Sequence, residues 1–303
     1  MTTQSNAFSE TSIDSHVVAP AATRPLFWSV RRELWENYSI YLAPLMVAGI
    51  ILFGSLVSAS HLPARRQNAM LLDPVHRRAA IEMPYDIAAV MIIFTVFIVG
   101  VFYCLDALHG ERRERSILFW KSLPVSDLTT VLSKVIIALV VLPLVSFTII
   151  VVTHFIMMLI SAVALLPSGL AATTWANFNL IRESLVLLYG LTAILLWHAP
   201  IYAWALLISG WARRATFLWA SVPLLAISFF EKITFDTSHF AAMLKARVIG
   251  FAAEAFAFHA HSIDSVTLTP ARYLASAGLW VGLALAVAFI AAAVRLRRYS
   301  GPL

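Results

Sequence analysis

Long apolar runs alternate with short polar segments along most of this chain. Six of the runs are of transmembrane length, and they cover residues 39–59, 86–106, 131–163, 184–209, 215–231 and 272–294. A helix of about 20 residues crosses the hydrocarbon core of a bilayer. Because lipid offers no hydrogen-bond partners, a spanning segment must satisfy its own backbone, and a helix does so. The pattern predicts an all-α, polytopic membrane protein with about six transmembrane helices.

The third run, residues 131–163, is longer than one crossing needs and contains Pro143. Proline lacks a backbone donor, and its ring clashes with the preceding helical turn. We therefore expect this helix to be tilted, kinked at Pro143 or extended beyond the bilayer. Lys134 near its start is expected to mark the membrane interface, with its ammonium group reaching toward water.

Composition supports lipid as the solvent. Of the 303 residues, 60% are hydrophobic and 13% are charged, whereas soluble domains carry about 25% charged residues. The net charge is +6, but the basic residues form short clusters at the ends of apolar runs, so nucleic acid is not an expected partner. The single cysteine, Cys104, excludes an intramolecular disulfide and a cysteine-based zinc site.

The basic clusters also predict the orientation of the bundle. One cluster, residues 31–32, precedes the first span, and another, residues 295–298, follows the sixth. The other two lie between the second and third spans, at 112–121, and between the fourth and fifth, at 213–214, so all four fall on one side of the membrane. The positive-inside rule makes this side cytoplasmic. We expect a multi-pass protein of the bacterial inner membrane with both termini in the cytoplasm. Arg65, Arg66, Arg77 and Arg78 lie on the opposite side, which reduces the asymmetry without reversing it.

The segments outside the spans divide into a tail, a first helix and an outer insertion. Residues 1–24 are polar and are expected to form a flexible tail, while residues 25–303 form one transmembrane domain. Between the last two spans, residues 232–271 are helix-prone but too charged to cross, so they predict a re-entrant or interfacial segment.

Residues 25–38 have the pattern of an amphipathic helix. Leu26, Val30 and Leu34 share one side, and Arg32, Glu33 and Glu36 share the other. This pattern favours an interfacial helix on the inner membrane surface. The alternative is a solvated extension of the first span.

The most informative polar segment, His109 to Asp127, joins the second and third spans. It reads HGERRERSILFWKSLPVSD, a charged run followed by an apolar patch and a proline. We expect the charged half to remain in water, whereas the apolar half is exposed unless it docks on another protein. The alternative is a positive-inside anchor with aromatic residues at the membrane interface.

This segment resembles the membrane subunits of type-2 ABC exporters, in which it reads approximately GERERGTLELLLSTPVSR. The matching residues, in order, are Gly110, Glu111, Arg112, Arg115, Pro124, Val125 and Ser126. The six-span plan, the helix before the first span and the outer insertion are similar too. Where that family usually has Gly-Thr after the charged run, this chain has Ser116-Ile117.

The resemblance implies a cytoplasmic coupling helix that inserts into a groove on a separate ATPase subunit. The residues expected at that contact are Gly110, Glu111, Arg112, Arg113, Arg115, Ser116, Phe119, Trp120, Lys121 and Pro124. Two ATPase copies, a second permease copy or close homologue, and membrane lipid are the implied partners, with ATP and magnesium held by the ATPase. None of the four lysines follows a glycine, so the chain lacks the phosphate loop GxxxxGK[ST] and is not expected to be an enzyme.

Two further groups of residues, and the class of transporter, leave alternatives open. Gly278, Gly282 and Ala286 form a small-residue stripe for close helix packing, within the subunit or at a dimer seam. His154 and His198 fit interhelical hydrogen bonds or the haem of a redox-complex membrane anchor. A motor-independent secondary transporter would require inverted repeats, which the sequence does not display.

The outer insertion offers a weak metal pattern. Its acidic and histidine residues are Glu254, His259, His261 and Asp264. They lack the HExxH spacing, so no metal site is predicted.

Overall fold

A computed structural model describes residues 25–122, 125–258 and 266–299, without the side chains of 119–121, 258 and 266. The predicted tail, residues 1–24, lies outside this part of the chain.

The first half contains α1 (Pro25–Glu36), α2 (Ser39–Ser58), α3 (Leu62–Met70), α4 (Pro74–Ala107), α5 (His109–Arg113), α6 (Ser116–Ser122), α7 (Asp127–Ile136) and α8 (Leu142–Leu165). The second half contains α9 (Ala172–Asn177), α10 (Leu180–Trp211), α11 (Thr216–Phe235), α12 (His239–Ile249), α13 (Phe251–Ala255), β1 (Phe256–Phe258), β2 (Val266–Leu268), α14 (Pro270–Ala275) and α15 (Ala277–Tyr299).

The described residues include six helical segments that are long and apolar enough to cross a membrane. They are Ser39–Met70, Pro74–Arg113, Asp127–Ser168, Leu180–Trp211, Thr216–Phe235 and Ala277–Tyr299. The predicted all-helical, multi-pass architecture is therefore confirmed. Several helices extend beyond the predicted spans because hydropathy marks only their apolar part. For example, α4 begins just after Asp73, whose carboxylate accepts a hydrogen bond from the backbone N–H of His76 at 3.4 Å.

The long third segment contains a local irregularity beside its proline. A π-helical turn, Ile137–Val141, separates α7 from α8, whose second residue is Pro143. Pro143 cannot donate to the carbonyl one turn earlier, and a π turn moves that carbonyl away from the proline ring. The irregularity therefore has a sequence cause, and the segment continues as a helix on both sides of it.

The centre of the bundle is α10, which contacts α4, α8, α11 and α15. Its small residues, among them Ala199, Ala203 and Ala205, are buried against these neighbours. By contrast, α11 has no buried residue. The inner helix thus lies within the protein core, whereas α11 packs on α10 and α4 along one side and exposes apolar residues over the rest of its surface.

The insertion between α11 and α15 folds into short helices and a two-stranded antiparallel hairpin, in which Phe256 pairs with Leu268. It is attached to the bundle by polar contacts. The Trp197 indole donates to the Ala246 carbonyl at 3.0 Å, and the Arg247 guanidinium donates to the Gly278 carbonyl at 2.8 Å. The helices agree with the sequence pattern, whereas the hairpin was not predicted.

Candidate functional site

The predicted contact segment lies at one end of the bundle, which we call the α5 end. There α5 and α6 connect the end of α4 to the start of α7, beside α1 and the end of α15. These elements are distant in sequence but bring their charged residues to one place.

Glu111 is the centre of this arrangement, with 8% of its surface exposed. One carboxylate oxygen accepts a hydrogen bond from Arg297 on α15. The other oxygen lies 3.1 Å from the Lys134 ammonium on α7 and 3.4 Å from the Arg32 guanidinium on α1. A single buried carboxylate therefore joins α5 to three other helices.

Glu33 on α1 forms the second half of the arrangement. Lys134 donates to Glu33 at 2.8 Å, and the Tyr103 hydroxyl donates to it at 2.9 Å. Burial alone would raise the pKa of Glu33, but the adjacent Lys134 and Arg32 charges outweigh burial and hold the pKa below its usual range. Glu33 is therefore ionised at neutral pH, and Lys134 bridges two carboxylates.

We call the residues Arg32, Glu33, Glu111, Asp127, Lys134 and Arg297 the ionic cluster. Asp127 completes it, with a carboxylate oxygen 3.2 Å from Arg297. The formal charges of these three positive and three negative side chains cancel, and the exposed Glu36 adds a further ion pair to Arg32 at the edge of the cluster, at 3.3 Å. Burying charges is costly, and removing one partner from a buried pair leaves the other uncompensated. The cluster is consequently stable only when α1, α5, α7 and α15 are docked together.

A second set of contacts fixes α5 to the end of α10. The backbone N–H groups of Leu108 and His109 both donate to the Ser209 hydroxyl, each at 2.9 Å. Arg112 donates to the carbonyl of Gly210 at 2.8 Å and to that of Ala212 at 3.3 Å. These carbonyls end a helix and lack intrahelical donors, so Arg112 satisfies them. The segment is therefore attached to the central helix as well as to the periphery.

The remainder of the segment faces outward. Arg113, Glu114 and Arg115 are exposed, and Arg115 has a φ of 59°, a left-handed conformation that turns the chain from α5 into α6. On α6, Ile117 is buried and Leu118 is 58% exposed. The side chains of Phe119, Trp120 and Lys121, and all of Pro124, lie outside the described residues.

A polar cavity of about 570 Å³ borders the ionic cluster between α1, α5 and α7. Glu36, Asp106, Glu114 and Ser116 contribute to its walls, and the Ser116 hydroxyl donates to the Glu111 carbonyl at 3.3 Å. The cluster therefore lies beneath a groove that opens at the α5 end.

Several sequence expectations about these charges were wrong. Glu33 does not face water, Lys134 does not reach toward it, and Glu111 and Arg112 are buried rather than solvated. The physical reason is compensation by residues far away in the chain, since Arg297 lies 186 positions from Glu111. Helical periodicity shows which side of a helix is polar but not whether that side meets a countercharge. The feature of the sequence that could have indicated a buried ion pair is Lys134, a lone lysine within an apolar run.

The small-residue stripe on α15 packs within the chain. A Cβ atom on Gly278 would lie 3.4 Å from the Trp197 ring, and one on Gly282 would overlap the Arg247 guanidinium. Ala286 is buried against Ala199 and its neighbours on α10. The structure thus places all three stripe residues at the contact with α10 and α12.

Both intramembrane histidines bond backbone carbonyls. The Nε2 atom of His154 lies 3.0 Å from the Tyr85 oxygen, and that of His198 lies 2.8 Å from the Val248 oxygen. These contacts are the interhelical hydrogen bonds that one interpretation of the sequence requires.

Within the part of the chain that the structure describes, no group of three or more histidine, cysteine, aspartate or glutamate side chains is close enough to hold a metal ion. His259, His261 and Asp264 fall outside that part.

The fold defines a multi-pass, all-helical membrane protein. Comparison with protein-family models, curated proteins and solved structures gives no match. Function is therefore inferred from the geometry of the α5 end and from the sequence of its connecting segment.

Proposed function

We propose that this chain is the permease subunit of an ATP-driven ABC exporter and that α5 and α6 couple it to a separate ATPase subunit. The observation that carries the proposal is the bonding of Glu111 to α1, α7 and α15. A displacement of α5 would be transmitted to all three helices.

The buried carboxylate distinguishes this proposal from a simple membrane anchor. An anchor needs only exposed basic residues near the headgroups. Here Glu111 is buried and neutralised by cations on other helices, an arrangement that requires fixed geometry. Such geometry suits a segment that transmits a movement rather than one that only sets topology.

The residues shared with the type-2 ABC exporter pattern include those that make these attachments. Glu111 forms ion pairs with Arg297 on α15 and Lys134 on α7, and Arg112 donates a hydrogen bond to a carbonyl at the end of α10. That pattern usually has a glycine after its charged run, and in this chain the run ends in a left-handed residue, Arg115. The resemblance and the geometry thus point to the same short segment.

The proposed mechanism is alternating access. ATP binding closes a dimer of ATPase subunits, and the outward surface of α6, including Leu118, follows that movement. Glu111 transmits it to α15 and α7, and Arg112 transmits it to the central helix α10. Two permease copies then repack around a shared path, with export as the direction that the family resemblance implies.

The experiment is purification of the tagged chain from its native membrane in mild detergent. We expect a co-purifying subunit with a phosphate-loop sequence, identified by mass spectrometry, and ATP hydrolysis in the eluate. Leu118→Asp should reduce both at least several-fold, because it places a charge on the exposed face of α6.

Leu71→Asp is the matched control, since Leu71 is 86% exposed at the opposite end of the bundle. It should leave co-purification unchanged. Transport by the purified chain in liposomes without any ATPase would contradict the proposal, as would full ATPase recovery with Leu118→Asp.

A further inference from the structure

A second cavity lies at the other end of the bundle, which we call the α3 end. It has a volume of about 260 Å³ and is enclosed by α2, α3, α4 and α8. Most of its wall is apolar, with contributions from Leu62, Ile81, Met83, Met157 and Ile160. Polar atoms come from Arg65, Arg66, Tyr85 and three serines.

Arg66 is the unusual member of this wall because it is only 5% exposed. Its Nη2 atom donates to the Thr174 hydroxyl at 3.3 Å, whereas its buried Nη1 atom has no hydrogen-bond partner. Within residues 25–122, 125–258 and 266–299, no carboxylate forms an ion pair with it. Arginine does not lose its proton in proteins, so a full positive charge is buried here without a countercharge.

The acidic residues of the α3 end are engaged elsewhere or exposed. Glu82 pairs with Arg78 at 2.6 Å, Glu183 lies 3.8 Å from Arg78, and Asp86 is exposed. The Tyr85 hydroxyl is also buried and forms no well-aligned hydrogen bond in the described structure, although the Ser161 hydroxyl lies beside it in the cavity wall. Its ring is stacked on Phe178 with centroids 4.1 Å apart, which fixes its position. Among the described residues, the Arg66 Nη1 atom and the Tyr85 hydroxyl thus have no hydrogen-bond acceptor.

The cavity has the position and size of a headgroup site. The 20 residues of α2 span about 30 Å, the thickness of the hydrocarbon core. Residues 58–66, which follow α2 closely, therefore lie at headgroup depth. A volume below the range of about 300–1,000 Å³ typical of drug-sized ligands admits a headgroup but not a large solute.

We propose that this cavity binds the phosphate of an anionic phospholipid. The Arg66 guanidinium is the anchoring cation, since its planar donors match phosphate oxygens. The Tyr85 hydroxyl is the second donor, and the apolar wall contacts the glycerol and the first acyl carbons. The site does not depend on the ATPase coupling proposed above.

The test is native mass spectrometry of the purified full-length chain with added lipid. We expect phosphatidylglycerol to bind more tightly than phosphatidylcholine, whose headgroup carries no net charge. Arg66→Gln should weaken phosphatidylglycerol binding by about tenfold or more, because a charge-assisted bond to phosphate is lost. Arg77→Gln removes a charge at the same end but outside the cavity, and its binding should equal that of the wild type.

Tyr85→Phe keeps the stacked ring and removes only the hydroxyl, so it tests the site without endangering the fold. We expect it to weaken phosphatidylglycerol binding by roughly threefold, the worth of one neutral hydrogen bond. Equal binding by wild type, Arg66→Gln and Tyr85→Phe would overturn the proposal. A second outcome would also overturn the proposal. If inorganic phosphate stabilises the wild type but not Arg66→Gln, and does not displace bound lipid, the cavity binds a soluble anion rather than a phospholipid.

Discussion

The two ends of the bundle treat buried charge in opposite ways. At the α5 end, three positive and three negative side chains meet, and Glu111 bonds cations from three helices. At the α3 end, Arg66 is equally buried, but its polar partner among the described residues is a hydroxyl, that of Thr174. The charges of the ionic cluster neutralise one another and hold helices together, whereas a buried charge without a countercharge is stabilised by a ligand of opposite charge.

The largest effect is expected from Glu111→Gln. It leaves Arg297 and Lys134 without their shared carboxylate, and breaking a buried ion pair costs about 3–5 kcal/mol. We expect a large fall in unfolding temperature in detergent. Glu114→Gln, which alters an exposed residue of the same segment, should leave that temperature unchanged. Equal stability of the two variants would show that the ionic cluster does not hold the helices together.

A smaller loss is expected from Ser209→Ala. The two backbone N–H groups of Leu108 and His109 would lose their acceptor, at a cost of about 1–3 kcal/mol. Hydrogen exchange at the start of α5 should accelerate in this variant. Ser228→Ala is the control, because the Ser228 hydroxyl bonds only within its own helix. Unchanged exchange at Leu108 and His109 would contradict the proposed attachment of α5 to α10.

Glu33 should contribute to the pH dependence of stability. Its pKa in the folded protein lies below that in the unfolded chain, so its ionised form stabilises the fold at neutral pH. This stabilisation is lost as the pH falls below the usual glutamate range of about 4.3. Unfolding temperature measured across the acidic range should decline for the wild type and decline less for Glu33→Gln. Parallel curves for the two proteins would remove Glu33 as the cause.

The smallest effect on stability is expected from Arg66→Gln in lipid-free detergent. Arg66 has no countercharge among the described residues, so removing its charge also removes a desolvation cost and should lower the unfolding free energy by no more than about 1 kcal/mol, the scale of one hydrogen bond. The quantity to compare is the change in unfolding free energy caused by Arg66→Gln and that caused by Glu111→Gln. A loss as large as that of Glu111→Gln would mean that Arg66 is compensated inside the chain and that both ends work alike.

The sequence predicts the spans well because hydropathy reports directly on contact with lipid. It also indicates Pro143 as the site of an irregularity, since the missing donor is a property of the residue itself. It does not predict the ionic cluster, because Glu33, Glu111, Lys134 and Arg297 meet only after four helices have packed. The hairpin of β1 and β2 is too short for an alternating pattern to stand out.

The central claim, that α6 contacts an ATP-hydrolysing subunit, is most directly tested by cross-linking. Cys104 is buried, so Leu118→Cys in a Cys104→Ser background carries one exposed thiol at the α5 end. In native membranes, a short bifunctional reagent should join it to a subunit that contains a phosphate loop, whereas Leu71→Cys in the same background should not be joined. The account would be contradicted if the Leu118→Cys thiol reacts with the reagent but forms no cross-link to such a subunit, while the protein still transports.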